Sequence, residues 1–98
     1  MVRLILGDGM VIIVKRRGRK EKFDERKIYA SCYAACLSSH LDRKYTERVC
    51  EAVTKHIKSW IKNKKIISSS QIFKIVEKTL RKHDRDAAFM YKTHRDIS

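Results

Sequence analysis

The sequence predicts an α+β domain that is mainly helical, a four-helix cluster capped by a small β-sheet made of an N-terminal hairpin and one short strand. Apolar residues recur at helical spacing in four successive segments after residue 24. β-Branched residues form a short run before these segments, and the few glycines mark the tight turns between strands. Because each amphipathic helix needs a covering surface, one sheet laid over one end of the cluster satisfies all four.

The length of 98 residues is enough for one core, so we expect a single domain over residues 1–98. Hydrophobic residues make up 43% of the chain and are spread along it, which favours folding over disorder. No apolar run is long enough for a membrane span or a signal peptide, and we expect a cytoplasmic protein without membrane contact.

The net charge of +13, from 24 Lys and Arg against 11 Asp and Glu, predicts an anionic partner. Charge alone leaves nucleotide, nucleic acid and anionic membrane open, and thermophilic proteins also carry many surface cations. The three cysteines at positions 32, 36 and 50 sit among apolar helix-forming residues, so we expect buried, reduced thiols rather than a metal site.

The strands are predicted from apolar runs bounded by glycines. Gly7-Asp8-Gly9 separates a run at Val2–Leu6 from a second at Met10–Val14, and Arg17-Gly18 then turns the chain into 20–23. A two-residue loop would place Lys15 opposite Lys20, Arg16 opposite Arg19, Val14 opposite Glu21 and Ile12 opposite Phe23. One hairpin face would then carry Ile13, Lys15, Lys20 and Lys22.

This face fits a nucleotide, with Ile13 against the purine and Lys15 on a phosphate. Lys27, in the first turn of the next helix, lies where backbone N–H groups attract phosphate. A solvated lysine face explains the same spacing equally well.

The first two helices follow from caps and apolar stripes. Asp24 is placed to cap a helix from Glu25 to near Ser38, with a stripe of Ile28, Cys32, Ala35 and Cys36. A second helix follows the polar stretch 40–44 and ends at the basic run 62–65. Its apolar positions are Val49, Ala52, Val53, Ile57, Trp60 and Ile61.

The remaining chain predicts a short strand and two helices. Ile66-Ile67 is the strand, and Ser69 or Ser70 can cap a third helix. The apolar positions of that helix are Ile72, Ile75, Val76, Thr79 and Leu80. After a break at 83–86, a last helix runs through Ala87, Ala88 and Tyr91 toward Ile97.

Residues 14–28, Val-Lys-Arg-Arg-Gly-Arg-Lys-Glu-Lys-Phe-Asp-Glu-Arg-Lys-Ile, resemble the opening of the ATP-cone domain, with its Lys-Arg-x-Gly turn and its Asp-x-x-Lys-Ile. The resemblance continues at 66–72, Ile-Ile-Ser-Ser-Ser-Gln-Ile, and at Ala88 to Tyr91, so that it covers about residues 10–97. It implies a non-catalytic allosteric module that binds ATP or dATP, with Mg²⁺ accompanying the nucleotide. The nucleotide-binding residues it implies are Ile13, Lys15, Arg16, Glu21, Asp24, Lys27, Ile28, Ser69, Tyr91 and Arg95.

The resemblance also implies what the module regulates. Such domains are best known from ribonucleotide reductases and from the repressor of their genes, and no reductase barrel or zinc ribbon stands in this sequence. We therefore expect a free-standing module that acts in trans on ribonucleotide reductase or on DNA.

Trp60 and Ile61, beside a basic run, also predict a nucleotide-dependent homo-oligomer. One departure from the family is Arg17, which stands where Asp or Asn is common and predicts a different turn.

The sequence offers no support for an enzyme, because it has no Walker loop, nucleophile elbow or metal-ligand spacing. The alternative function is a basic nucleic-acid-binding module, which the net charge and the cluster at 62–65 favour. Against it, Phe23, Phe73 and Tyr91 fall at core-like positions rather than between basic residues.

Overall fold

The computed structural model of the protein describes residues 11–97, except for the side chains of Arg16 and of residues 95–97. Over that range the strands are β1 (Ile12–Val14), β2 (Lys20–Lys22) and β3 (Ile66–Ser68), and the helices are α1 (Glu25–Ser38), α2 (Arg43–Ile61), α3 (Ser69–His83) and α4 (Arg85–Ile97). The predicted mainly helical α+β class is confirmed. The strand expected at Val2–Leu6 and the turn at 7–9 lie outside the described residues.

The three strands form one sheet in the order β2-β1-β3. β1 pairs antiparallel with β2 and parallel with β3, with Ile13 directly opposite Ile67. Both of these side chains are buried, which explains why the central strand is continuously β-branched. The parallel pairing also opposes Val14 to Ser68, so the residues that follow, Lys15 and Ser69, leave the sheet at the same edge.

The predicted hairpin register is wrong by one residue. Ile12 lies opposite Lys22, Ile13 opposite Glu21 and Val14 opposite Lys20, because three residues, Arg16–Gly18, form the turn as a short 3₁₀ segment. A one-residue shift moves every side chain of β2 to the other face. Glu21 therefore shares the face of Ile13 and Lys15, whereas Lys20 and Lys22 lie on the opposite face.

Arg17 and Gly18 both adopt left-handed backbone, with φ of 70° and 78°. The chain closes the turn through Gly18 N, which donates to the Lys15 carbonyl at 3.0 Å, and Lys15 N, which donates to the Arg19 carbonyl at 2.6 Å. Glycine adopts left-handed backbone without strain, so Gly18 fits this turn. Arg17 has a Cβ atom and is strained in the same conformation.

The four helices bury their apolar faces in one core. The stripe predicted for α1 is buried as expected, and α3 buries Ile72, Val76 and Leu80. Along α2 the prediction fails at Ala52, which is exposed, while Cys50 takes a core position. α1 packs against α2 and α4, and α3 packs against the same two helices, so α2 and α4 occupy opposite corners of the cluster.

The expected apolar spot at Trp60 and Ile61 is not a surface patch. Ile61 is buried in the core, and the ammonium of Lys64 lies 5.0 Å from the centroid of the half-buried Trp60 ring. The large hydrophobic side chains that are exposed in the described range are Leu37, Ile66 and Phe89.

Side-chain caps fix where the helices begin. Asp24 accepts from the Arg26 amide at 3.0 Å, Asp42 from the Tyr45 amide at 2.8 Å and Asp84 from the Ala87 amide at 2.9 Å. The cap of α3 is Ser68 rather than the predicted Ser69 or Ser70. Its hydroxyl accepts from the Gln71 amide, and the Gln71 side chain accepts from Ser68 N, which forms a capping box.

The three cysteines are fully buried, as predicted, and form no disulfide with one another. Burial raises the pKa of Cys32 to about 12, which keeps this thiol protonated near neutral pH. Within the described range no cluster of three His, Cys, Asp or Glu side chains is arranged to hold a metal ion, and none of the helices there is long and apolar enough to cross a membrane.

We predict that Arg17→Asn stabilises the fold. Asn tolerates left-handed backbone, so relief of the strain at φ 70° should raise the free energy of unfolding by about 1 kcal/mol, a gain of roughly 4–8 °C in melting temperature. Arg19→Asn is the matched control, because Arg19 has an ordinary φ of −65° and loses the same charge. Equal gains from both variants in thermal melts would show that charge relief, not backbone strain, is responsible.

Candidate functional site

A cleft of about 690 Å³ opens between the hairpin turn and three of the helices. Its lining comes from the turn region, from α1, from the first part of α3 and from the middle of α4. These residues are Lys15, Arg17, Arg19, Ser31, Ala34, Ser69, Ile72, Phe73, Tyr91 and His94. The cleft therefore combines a basic rim with small hydroxyl-bearing and aromatic side chains.

The basic rim comes from the turn. Lys15 follows β1, and Arg17 and Arg19 flank Gly18, so three cations lie within five residues of chain. Both arginine residues are exposed. Such a group of cations favours an anionic ligand at this end of the cleft.

Glu21 bridges two lysines beside the rim. Its Oε1 atom lies 3.4 Å from the Lys15 ammonium and 3.1 Å from the Lys27 ammonium, and Lys27 donates a hydrogen bond to it. This hydrogen bond from Lys27, with the attraction of Lys15, lowers the pKa of the Glu21 carboxyl. The bridge links the hairpin to α1 and holds the Lys15 ammonium beside Glu21, next to the cleft.

The start of α3 lies at the same edge as Lys15. Ser69 is the first residue of this helix, and the hydroxyl of the preceding Ser68 is already engaged on Gln71. The N–H groups of the first helical turn have no partner within their own helix, and the helix dipole makes this end attractive to anions. The start of α3 at Ser69 thus adds hydrogen-bond donors beside the basic rim.

Two aromatic rings line the wall formed by α3 and α4. Phe73 and Tyr91 stack with their centroids 5.1 Å apart and their planes at 15°. Both are half-buried: Tyr91 packs against the core as its core-like position predicted, and both rings also line the cleft. Their exposed parts offer a flat apolar surface to the cleft, which suits a planar ring system.

The facing wall of α1 is made of small residues. Ser31 and Ala34 are exposed and line the cleft, and the Ser31 hydroxyl donates to the Lys27 carbonyl at 2.8 Å. Near the end of α1, the Ser38 hydroxyl and Nε2 of His94 approach to 3.5 Å. Small side chains on α1 leave the space that the aromatic wall faces.

The sequence-predicted residues divide into three groups. Lys15, Ser69 and Tyr91 line the cleft, and Glu21 and Lys27 are linked to Lys15 by the bridge. Ile13, Asp24 and Ile28 do not belong to the cleft lining. The two isoleucines are buried in the core, and Asp24 caps α1 and pairs with Arg26. The side chains of Arg16 and Arg95 lie outside the described part of the structure.

Several cleft residues were missed by sequence reasoning. They are Arg17, Arg19, Ser31, Ala34, Ile72, Phe73 and His94. A signal for some of them was present. Ser31 follows Lys27 by four residues and Ala34 follows Ser31 by three, and Phe73 follows Ser69 by four, which places each set on one helix face. His94 follows the predicted Tyr91 by three residues and so shares its helix face, but only the packing of α4 against α1 and α3 brings that face to the cleft.

The chain is similar to known proteins over almost its whole length. It resembles the transcriptional repressor NrdR of Carboxydothermus hydrogenoformans, with 27% identity over 97 residues, covering 95% of this chain and 62% of that protein. It also resembles the transcriptional repressor NrdR of Clostridium botulinum (strain Loch Maree / Type A3), with 26% identity over 92 residues, covering 90% of this chain and 60% of that protein. The chain thus spans about three fifths of the length of these relatives.

The family model of the ATP cone domain matches residues 11–97. The matched range contains the strands and helices of the described residues and the cleft lining found among them. The chain therefore belongs to the ATP cone domain family.

Proposed function

We propose that this chain binds a purine nucleoside triphosphate, ATP or dATP, in the cleft and acts as a non-catalytic allosteric sensor. The observation that carries the proposal is the pairing, in one cleft, of a basic rim with a stacked aromatic wall. A nucleotide has the same two ends, an anionic triphosphate and a flat base. Membership of the ATP cone domain family supports this ligand class.

The triphosphate would lie at the basic rim. Lys15, Arg17 and Arg19 supply charge, and Ser69 with the first amides of α3 supplies oriented donors. The purine would then extend toward Phe73 and Tyr91, with the small face of α1 on its other side.

The lining also favours a sensor over a hydrolase. Among the described residues of the lining there is no Asp or Glu, so no carboxylate stands ready to hold a metal ion or to act as a base. Any Mg²⁺ that accompanies the nucleotide would then be held by the phosphates.

The regulated process would be deoxyribonucleotide synthesis, with ribonucleotide reductase or the expression of its genes as the target in trans. The relatives named as transcriptional repressors support the second of these routes. Nucleotide binding can control such a target only if the two states of the domain bind the nucleotide with unequal affinity.

The Glu21 bridge would prepare the site for its ligand. It holds Lys15 and Lys27 side by side despite their like charges, and it places both near the rim. Without the carboxylate, the two ammonium groups would repel each other and leave this position.

We predict that the purified chain binds ATP and dATP with micromolar affinity, as measured by calorimetry. Lys15→Ala should weaken binding by about 1.5–3 kcal/mol, because a charge-assisted hydrogen bond to phosphate is lost. Lys20→Ala is the matched control, because Lys20 lies on the opposite face of the hairpin and should leave affinity unchanged. A folded wild-type chain that gives no heat above dilution would refute the proposal. Equal losses from both variants would place the phosphates outside the cleft.

We predict that Glu21→Gln lowers the melting temperature at pH 7 and that the difference from the wild type shrinks at low pH. The pKa of Glu21 is lowered in the fold from 4.5, so its stabilising contribution is complete above that pH and is lost as pH falls through the lower, folded value. Thermal melts between pH 3 and pH 7 measure this. Glu51→Gln is the control, because Glu51 makes no ion pair with a described side chain. A difference between wild type and Glu21→Gln that persists at the lowest pH would contradict the bridge.

We predict that saturating ATP or dATP changes the mass of the chain in light scattering. The exposed Leu37 and Phe89 on α1 and α4 provide apolar contacts on two of the helices that line the cleft, so ligand-dependent packing there would alter self-association. An unchanged mass across concentrations that span the dissociation constant would exclude self-association as the output.

A further inference from the structure

The outward face of α2 carries a straight basic stripe. Its members recur at helical spacings of three or four residues and are all exposed: Lys44, Arg48, Ala52, Lys55, Ser59 and Lys62. The core face of α2, with Val49, Val53 and Ile57, lies on the opposite side of the helix. From Lys44 to Lys62 the stripe extends about 27 Å, at 1.5 Å for each residue.

The four cations of the stripe are available for an external partner. Within the described range, no carboxylate lies within ion-pair distance of Lys44, Arg48, Lys55 or Lys62. Glu51 borders the stripe on one side but does not form an ion pair with any of them. The residues between the cations are Ala52 and Ser59, whose small side chains allow close approach of a partner.

The stripe begins at a shallow depression at the start of α2. Asp42, Arg43, Lys44, Tyr45 and Arg48 line this depression, whose volume is about 520 Å³. The Asp42 carboxylate accepts from the Tyr45 amide as the helix cap, and the three cations outnumber this one carboxylate in the lining. One phosphate group would fit the chemistry of this end.

The composition of the stripe distinguishes among polyanions. Single-stranded nucleic acid is held by stacking on aromatic side chains, and none belongs to the stripe. A helix that lies on an anionic membrane inserts an apolar face, but the apolar face of α2 is buried in the core. A row of four cations, with only the small side chains of Ala52 and Ser59 between them, matches the phosphate backbone of a rigid duplex.

We propose that the outward face of α2 docks on the phosphate backbone of double-stranded DNA, independently of base sequence. α2 contributes no residue to the nucleotide cleft and lies at the corner of the helix cluster opposite α4, which forms one of the cleft walls. The duplex and the nucleotide therefore occupy different surfaces of the domain.

Fluorescence anisotropy with a labelled 20-base-pair duplex of arbitrary sequence tests the proposal. Four phosphate contacts give a slope of about −3.6 in a plot of log association constant against log salt concentration, which is a loss of roughly a hundred-fold between 50 and 200 mM salt. The variant Lys44→Gln/Arg48→Gln/Lys55→Gln/Lys62→Gln should reduce the magnitude of the wild-type slope by about 3.6. Absence of wild-type binding at 50 mM salt, or an unchanged slope in the variant, would overturn the proposal.

The matched control lies on the neighbouring face. Lys74, Lys78 and Lys82 are exposed and recur every four residues on α3, and Arg85 is the exposed first residue of α4. Their replacement by Gln removes the same number of charges. This variant should keep most of the wild-type slope, because its cations cover a shorter length on a different side of the cluster. Equal losses from the two variants would mean that net charge alone sets binding and would overturn the proposal. Circular dichroism checks that both variants remain folded.

Competition separates this surface from the cleft. Saturating ATP should not displace the duplex competitively, and the Lys15→Ala variant should bind duplex with nearly the wild-type affinity. Competitive displacement by ATP would place the DNA in the cleft and contradict the assignment to α2. If the chain fails to bind ATP, the comparison of the two four-residue variants still decides the proposal.

Discussion

The register of the β1–β2 hairpin is the constraint on which the site depends. Because the turn uses three residues, Glu21 lies opposite Ile13 and on the same face as Lys15. With a two-residue turn, Glu21 would point to the other face and could not join Lys15 to Lys27. The turn that sets this register holds Arg17 in left-handed backbone, where a side chain with a Cβ is strained.

The parallel pairing of β1 with β3 assembles the rest of the cleft. The two strands end together, so Lys15 and Ser69, the start of α3, emerge at one edge of the sheet although they are 54 positions apart in the chain. Packing of α4 between α1 and α3 then brings the Tyr91 ring onto Phe73 and His94 close to Ser38. The cleft thus combines segments that are distant in sequence, and the buried pair of Ile13 and Ile67 anchors the edge where they meet.

The large positive charge of the chain is distributed unevenly over its surface. Some cations are paired locally, as in the contacts of Arg26 with Asp24 and of Lys58 with Glu25. Others have no described carboxylate in ion-pair range: Arg17 and Arg19 at the cleft rim, and the four cations of the stripe on α2. Concentration of charge on two separate surfaces fits two kinds of phosphate ligand better than a general requirement for solubility does.

The sequence by itself determined the mainly helical class, the helix positions, the caps at Asp24 and at the serine run to within one residue, and the family. These features depend on local periodicity and on capping hydrogen bonds, which act within a few residues. It also indicated Lys15, Ser69 and Tyr91, through the family motif. Only the tertiary structure decided the hairpin register, because a two-residue and a three-residue turn are both compatible with Arg17-Gly18. The aromatic wall and His94 likewise required the packing of α4 against α1 and α3, since no local signal shows which half-buried ring faces a cleft and which completes the core.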